Sequence, residues 1–315
     1  MIFRASIVAF AFLIPAVSWG FLQWADQEPE TVTIPQAVPA APKVKEPQEL
    51  TLLFVGDIML DRGVEYELKK NGADWTWPFH HIADFLAKAD LVFGNLESQI
   101  SDKGVNVGSI YSFRADPQSM QALTYAGFDV LSVANNHSFD YTKQAFEDSK
   151  ARLQQAGIMP LADELVIKEL EHATIGFLAY SNFPGPALVD WNNLNQVIRN
   201  IRQSAEKVDI LVVSLHAGEE YQPQPNQFQK AFARAAIDAG ADIIAGHHPH
   251  VLQPLEQYKE GWIAYSLGNF VFDQKFSEET MRGAILKVVI ADKKIKEASL
   301  LPTKLNDSYQ IELVQ

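Results

Sequence analysis

The chain has no cysteine. Disulfide staples, thiolate-bound zinc and thiol nucleophiles are excluded together. Long basic runs are also missing. With 26 basic against 39 acidic residues and a formal charge of −13, the chain lacks the electropositive face that nucleic-acid binding requires, and no nucleic-acid partner is expected. No serine stands in a Gly-x-Ser-x-Gly setting, and no glycine-rich phosphate loop occurs. Internal repeats are absent.

What is present starts with an apolar run over residues 5–24, broken only by Ser6, Pro15, Ser18, Gly20 and Gln23. A helix of that length, at about 1.5 Å rise per residue, crosses a bilayer core roughly 30 Å thick. Ala16-Val17-Ser18 offers a small-residue cleavage site, which leaves a removed signal peptide as the rival reading. Bulky Trp19 and the continuing apolar run favour an uncleaved anchor. Residues 26–49 carry Pro29, Pro35, Pro39, Pro42 and Pro47 and read as an extended tether. Arg4 is the only charged side chain before the run, and acidic residues follow it, so the remainder is expected outside the cytoplasm. The expected organisation is an anchor or signal segment at 1–25, a tether at 26–49 and one large domain at 50–315.

In that domain, strand-like and helix-like stretches alternate, which predicts an α/β fold with at least one mixed sheet. Apolar, β-branched runs fall at 51–55, 91–93, 130–133, 174–179, 210–215, 243–245 and 263–266. Helices are expected after Asp116-Pro117 as far as Gly127, over 142–156 before Gly157, and over 226–239 before Gly240. Residues 284–290 and 295–301 read as an antiparallel hairpin turning at Asp292-Lys293-Lys294.

The strand ends carry the chemistry. The runs lead into Gly56-Asp57, Gly94-Asn95-Leu96-Glu97, Ala134-Asn135-Asn136-His137, His216, Gly246-His247-His248-Pro249-His250 and Gly268-Asn269. Ligands of open α/β sheets bind beyond the carboxyl ends of the strands, and a glycine before the polar group at four of these six ends suggests tight turning. The carboxylates, amides and imidazoles form a hard-to-borderline donor set suited to divalent zinc, manganese or iron. His248 and His250 are the sharpest pair. Pro249 biases His248 toward extended backbone, where residues two apart face one side. Structural readings compete at single positions: Asp57 as an N-cap, Asn136 in an Asx-turn, His216 as a core histidine. His80, His81 and His172 receive no role.

These strings resemble the bacterial capsule-synthesis CapA proteins, which include the poly-γ-glutamate subunit PgsA, within the calcineurin-like metallophosphoesterase superfamily. The match runs in family order through Gly56-Asp57-Ile58-Met59-Leu60-Asp61-Arg62, Gly94-Asn95-Leu96-Glu97, Phe113-Arg114-Ala115-Asp116-Pro117, Ala134-Asn135-Asn136-His137, His216-Ala217-Gly218-Glu219-Glu220-Tyr221, Gly246-His247-His248-Pro249-His250 and Ser266-Leu267-Gly268-Asn269-Phe270. The resemblance implies a four-layer αββα sandwich of two mixed sheets flanked by helices. It implies metal ligation by Asp57, Asn136, His216, His248 and His250, with His137 as general acid. Arg62 and Arg114 become anion-binding candidates, and Asn95 and Glu220 are grouped with them as substrate contacts. Two departures stand out. Met59 occupies the place of a usual ligand histidine, and Asn95 that of a bridging aspartate, which leaves either Asn95 or Glu97 as the ligand there. One ion or a rearranged pair is expected.

The implied function is capsule or poly-γ-glutamate synthesis or export by an extracytoplasmic, membrane-anchored protein using metal-dependent hydrolase chemistry. Implied partners are membrane-bound synthase or export subunits and an anionic polymer or phosphoester substrate. The alternatives are a non-catalytic accessory or polymer-binding subunit, and a secreted phosphoesterase or nucleotidase.

Overall fold

The structure, a computed structural model, describes residues 48–314. The segment read as an anchor, and all but the last two residues of the segment read as a tether, lie outside the described residues. Among the described residues no helix is long and apolar enough to cross a membrane.

Side-chain alternation decides the architecture. In β1 (Leu50–Ile58), Leu52 and Phe54 face one way, Leu53 and Val55 the other, and all four are buried. A strand buried on both faces needs a packed layer on each side. The chain continues through β2 (Leu91–Leu96), a short pair β3 (Gln99–Ile100) and β4 (Arg114–Ala115), then β5 (Val130–Ser132), β6 (Met159–Leu161), β7 (Val166–Glu169) and β8 (Thr174–Ser181). It completes its strands with β9 (Ile210–His216), β10 (Ile243–His247), β11 (Leu255–Tyr258), β12 (Gly261–Ala264), β13 (Asn269–Val271), β14 (Arg282–Ala291), β15 (Lys294–Leu305) and β16 (Ile311–Leu313).

The larger sheet has the order β16-β15-β14-β1-β2-β5-β6, with β13 paired to β1; the smaller has the order β11-β12-β10-β9-β8-β7. Both are mixed: β1 runs parallel to β2 and antiparallel to β14, while β8 runs parallel to β9 and antiparallel to β7. Leu52, Phe54 and Phe93 of the larger sheet meet Phe177, Ile210 and Val212 of the smaller, and the Phe93 and Phe177 rings stack 5.6 Å apart. Leu53, Val55, Val92 and Leu131 turn outward to α1 (Arg62–Lys70), α2 (Ala83–Leu86), α3 (Met120–Ala126) and α4 (Thr142–Gln155). On the far side, Leu211, Val213 and Ile244 pack against α5 (Leu194–Ala205) and α6 (Gln227–Asp238). The result is the four-layer αββα sandwich.

Local signals set the boundaries as expected in most places. Asn226 caps α6 in a reciprocal box with Gln229. The hairpin β14–β15 turns at Asp292 and Lys293, both with positive φ, as a two-residue primed turn demands.

The strands that build the site run further than their apolar stretches indicate. Asp57, Asn95, His216 and His247 are strand residues in register: Asp57 opposite Asn95 and Asn269, His247 opposite His216. The glycines before them do a different job from the expected one. A Cβ on Gly56 would stand 2.0 Å from the Gly268 carbonyl oxygen, and one on Gly246 2.0 Å from that of Tyr265. Neither glycine turns the chain; each lets a neighbouring backbone pass in contact.

Candidate metal centre

Two carboxylates from the larger sheet face four imidazoles from the smaller one. Asp57 ends β1, Glu97 follows β2, and both are fully buried. Opposite them stand His216 at the end of β9, His247 at the end of β10, and His248 and His250 in the loop after β10. His248 has φ 97° and His250 φ 58°. The extended backbone expected at His248 is not found; left-handed backbone, costing about 1–3 kcal/mol per residue, brings the two rings to 5.8 Å.

Glu97 holds the decisive position. Its Oε1 is buried and accepts no hydrogen bond. Around that atom, His250 Nε2 lies at 3.6 Å and the Nε2 atoms of His137 and His216 at 3.9 Å. The His250 and His216 gaps exceed hydrogen-bond lengths and lie near the roughly 3–4 Å separating neighbouring donors around one ion with bonds of about 2.1 Å. Glu97 also joins two triads, with His248 and His250 and with Asp57 and His216, whose donor atoms lie within 4.8 Å of one another. Both His247 ring nitrogens and Nδ1 of His248 are buried without hydrogen-bond partners. Unpaired buried groups of this kind require an explanation, and a divalent cation held by Glu97 and its triad partners fits the orphaned Glu97 Oε1. Glu97 is common to both triads.

Surrounding amides fix the donors. Asn95 Nδ2 donates to Asp57 Oδ1 at 2.9 Å and Glu97 Oε2 at 3.2 Å, while its Oδ1 accepts from Asn135 Nδ2 at 3.2 Å. The reverse orientation would set its oxygen against two carboxylates. Asn269 Nδ2 donates to Gln274 Oε1 and the Thr280 carbonyl, so its Oδ1 must accept from His250 Nδ1 at 3.0 Å. That bond puts the His250 proton on Nδ1 and leaves Nε2 bare toward Glu97. Asn136 Oδ1 lies 2.7 Å from His216 Nε2. The Phe183 ring packs 4.3 Å from His248 and 5.8 Å from His216, an apolar wall on that side.

The family model for the bacterial capsule synthesis protein PGA_cap matches residues 51–274. The chain belongs to that family. Its relatives include named capsule proteins. It is 32% identical over 295 residues to the capsule biosynthesis protein CapA of Bacillus anthracis, covering 84% of this chain and 70% of that one. To the PGA biosynthesis protein CapA of Bacillus subtilis (strain 168) it is 36% identical over 260 residues, covering 74% and 66%. It thus spans about two thirds of those relatives' lengths. Among solved structures, a novel phosphatase from Mycoplasma pneumoniae superposes with a TM-score of 0.51 at 16% identity, over 81% of this chain and 94% of that one. A hypothetical protein from Thermus thermophilus gives 0.52 at 16% identity, over 81% and 99%. At such identity the likeness shows a shared fold, that of the metallophosphoesterases.

The electrostatics of this PGA_cap-family site split its carboxylates. Burial pushes Asp57 up, but the adjacent imidazoles of His247 and His250, 3.2 and 3.3 Å from its oxygens, outweigh it and hold the carboxyl well below its usual range. Glu97 goes the other way: burial, then the charges of Asp57, Glu220 and Asp140, push it well above. Burial, followed by the neighbouring His248, drives His216 well below the histidine range. Burial and the adjacent His250 bring His248 to about 3. Both imidazoles are therefore neutral, as metal ligands must be.

A cavity of about 460 Å³ opens beside the centre, with Asn136, His137 and His250 on its inner wall. His137 Nδ1 lies 2.7 Å from Asp140 Oδ2, and its ring packs 4.0 Å from Phe113. Arg62 and Glu220 also line the cavity, although the Arg62 guanidinium is ion-paired to Asp273. Two expected substrate contacts are not there. Arg114 is not among the cavity's lining residues; its guanidinium lies 4.1 Å over the Tyr141 ring and donates to the Lys103 carbonyl. Asn95 is fully buried beneath the carboxylates. Met59 is buried in the apolar core, its sulfur receiving the Asp61 N–H. His80, His81 and His172 lie apart from the centre: His80 beside Asp74, His172 beside Glu171, and His81 exposed. Sequence reasoning gives no role to His247, Asp140 or Asn269. Their signals are, in turn, a place in the histidine string, the i+3 spacing from His137, and a strand-end asparagine.

Proposed function

We propose that this chain acts in making, trimming or exporting an extracellular capsule polymer such as poly-γ-glutamate, through metal-dependent hydrolysis. The observation that carries the reading is the buried, unpartnered Glu97 Oε1 facing His216 and His250 at 3.9 and 3.6 Å. Family membership supports the capsule role, and the names of the two Bacillus relatives point the same way. Asp57, Glu97, Asn136, His216, His248 and His250 would hold divalent manganese, zinc or iron, and His247 stands against Asp57 at 3.2 Å. A cation there supplies Lewis acidity and lowers the pKa of a coordinated water.

The chain's own residues do the rest. The Asp140 carboxylate accepts from His137 Nδ1–H and leaves Nε2 to give a proton to the departing oxygen or nitrogen. Asn95 and Asn269 hold their neighbours in the one orientation that offers lone pairs inward. Phe183 and Phe113 keep bulk water from the flanks.

The proposal extends to location and partners. The apolar run at 5–24 would anchor the chain, the proline-rich segment would space the domain from the bilayer outside the cytoplasm, and membrane-bound synthase or export subunits would neighbour it. The substrate is an anionic polymer or a phosphoester, not nucleic acid.

A second reading, a non-catalytic accessory subunit, is favoured by Met59 in a ligand position and by Arg62 being tied to Asp273. One experiment separates them. The full-length protein is assayed for bound metal, and for cleavage of a chromogenic phosphodiester and a γ-glutamyl polymer, with and without chelator. Metal with chelator-sensitive turnover supports the hydrolase. Metal without turnover supports the accessory subunit, and a metal-free protein that takes up no added ion refutes both forms of the site.

A further inference from the structure

Two cavities share one wall. Tyr221 and Phe276 border the metal cavity on one side and a second cavity of about 500 Å³ on the other. Their rings meet edge to face, 5.0 Å between centroids. The second cavity is largely apolar, with Pro223, Val251 and Leu252 beside the two rings, and is completed by Ser277, Glu279 and Arg282. Val251 and Leu252 directly follow His250, so the apolar wall begins one residue from a candidate ligand of the cation.

The surface around this pair of cavities is unusually apolar. Phe276 and Tyr111 are each 64% exposed and Tyr221 40%, and all three line the metal cavity. Single exposed apolar side chains are ordinary, but a cluster at one mouth marks a binding site. Within the metal cavity the charges suit a small anionic head, the phosphoester among the substrates proposed above. Asp140, Glu220 and Asp273 line the metal cavity against one arginine, itself ion-paired to Asp273. Outside the cation there is little to hold a row of carboxylates.

We propose that the apolar groove receives the hydrocarbon chain of an amphiphilic substrate whose anionic, phosphate-like head lies at the metal centre. Tyr221 and Phe276 line both cavities, and the Tyr221 ring lies 6.3 Å from that of His250. A chain seated in the groove therefore ends one pair of rings from the centre, which commits the groove to the substrate itself. Removing water from such a wall is favourable for hydrocarbon and for nothing polar. The inference rests on the metal-site reading and adds the class of molecule that the site takes.

The test is a chain-length series. Full-length protein held in amphipol is titrated calorimetrically with ethyl, butyl, hexyl and octyl phosphate, manganese-loaded and chelator-treated. Octyl phosphate is expected to bind about 10–100-fold more tightly than ethyl phosphate. Leu252→Asn should remove most of that gain while ethyl phosphate binds as before. Phe276→Ala, at an exposed position, should also shrink the gain and guards against a folding defect in the first variant. A flat series, or a gain that both variants leave intact, overturns the proposal and gives the groove to a protein or membrane contact. If ethyl phosphate binding is chelator-sensitive but the series is flat, the metal reading stands and the groove assignment falls. If a Leu252-dependent gain survives chelation unchanged, the groove assignment stands and the metal reading falls.

Discussion

Glu97 cannot hold its proton and a cation at once. Burial and the charge of Asp57 raise its carboxyl well above the ordinary range, so the ion-free centre keeps that proton at pH values where an exposed glutamate has lost it. His216 and His248 are shifted down and have no proton to lose. Cation binding should therefore release the Glu97 proton, and affinity should rise with pH through the Glu97 titration. Calorimetry in buffers of different ionisation enthalpy measures the proton count. Glu97→Gln should abolish the release and weaken binding at least 100-fold; an unchanged affinity would exclude Glu97 as a ligand. At this scale much of the site is readable from strand ends alone. Asp57, Glu97, Asn136, His137, His216, His248 and His250 do converge. Arg62 and Arg114, read as anion-binding candidates against a surface ion pair, have partners that the sequence conceals: Arg62 lines the cavity but is paired with Asp273, 211 positions away, and Arg114 lies over the Tyr141 ring. Asn269 is undervalued in the sequence because its role depends on β13 lying beside β1.

The strands place these groups only because their backbones come into contact. Gly56→Ala would drive a Cβ into the Gly268 carbonyl at 2.0 Å, separating β1 from β13 and with it Asp57 from His250. A loss of about 1–3 kcal/mol is expected from such overpacking, read as a lowered urea midpoint with an unchanged m-value, together with weakened cation binding. The helices respond to pH instead. Asp148 on α4 is pushed up by burial, but hydrogen bonds from Lys103, Arg152 and Ser101 outweigh this and bring it to about 2 from 3.8. A depressed carboxylate contributes stability above its unfolded value and loses it as pH falls through the folded one. Asp148→Asn should thus cost about 1–2 kcal/mol at pH 7, and the gap to the wild type should close between pH 4 and pH 2. An equal gap at both ends would assign the effect to packing. Element types are legible where periodicity and caps agree, as in α4 and α6. The amphipathic α5, with Val197 and Ile201 on its buried face, escapes notice because no cap announces it: Asn193 makes no side-chain capping bond. Strand ends fall too early in the sequence reading because Asp57, Asn95 and His247 are polar, and polarity inside a strand is tolerated only where partners from another strand await it.

Across the whole molecule, acids come from one sheet and imidazoles from the other, so the centre exists only when the two are docked. A cation that binds this arrangement and not the unfolded chain adds roughly 4 kcal/mol at a thousandfold excess over Kd, or about 10 °C in Tm for a domain of this size. Chelation should remove that increment from the wild type and leave Glu97→Gln unaffected, as differential scanning calorimetry would show. The αββα class is legible from strand and helix alternation together with the family strings, since three apolar interfaces are written into two-sided strands. The division of donors between sheets is not, because it depends on which strand joins which sheet. It also has a temporal meaning. Donors drawn from residues 57 to 250 cannot assemble early, so the ion has no nucleus to template and enters a chain whose barrier is already behind it. Its presence should leave the refolding rate almost untouched and lengthen the lifetime of the native state, making the metal a lock fitted after the door has closed.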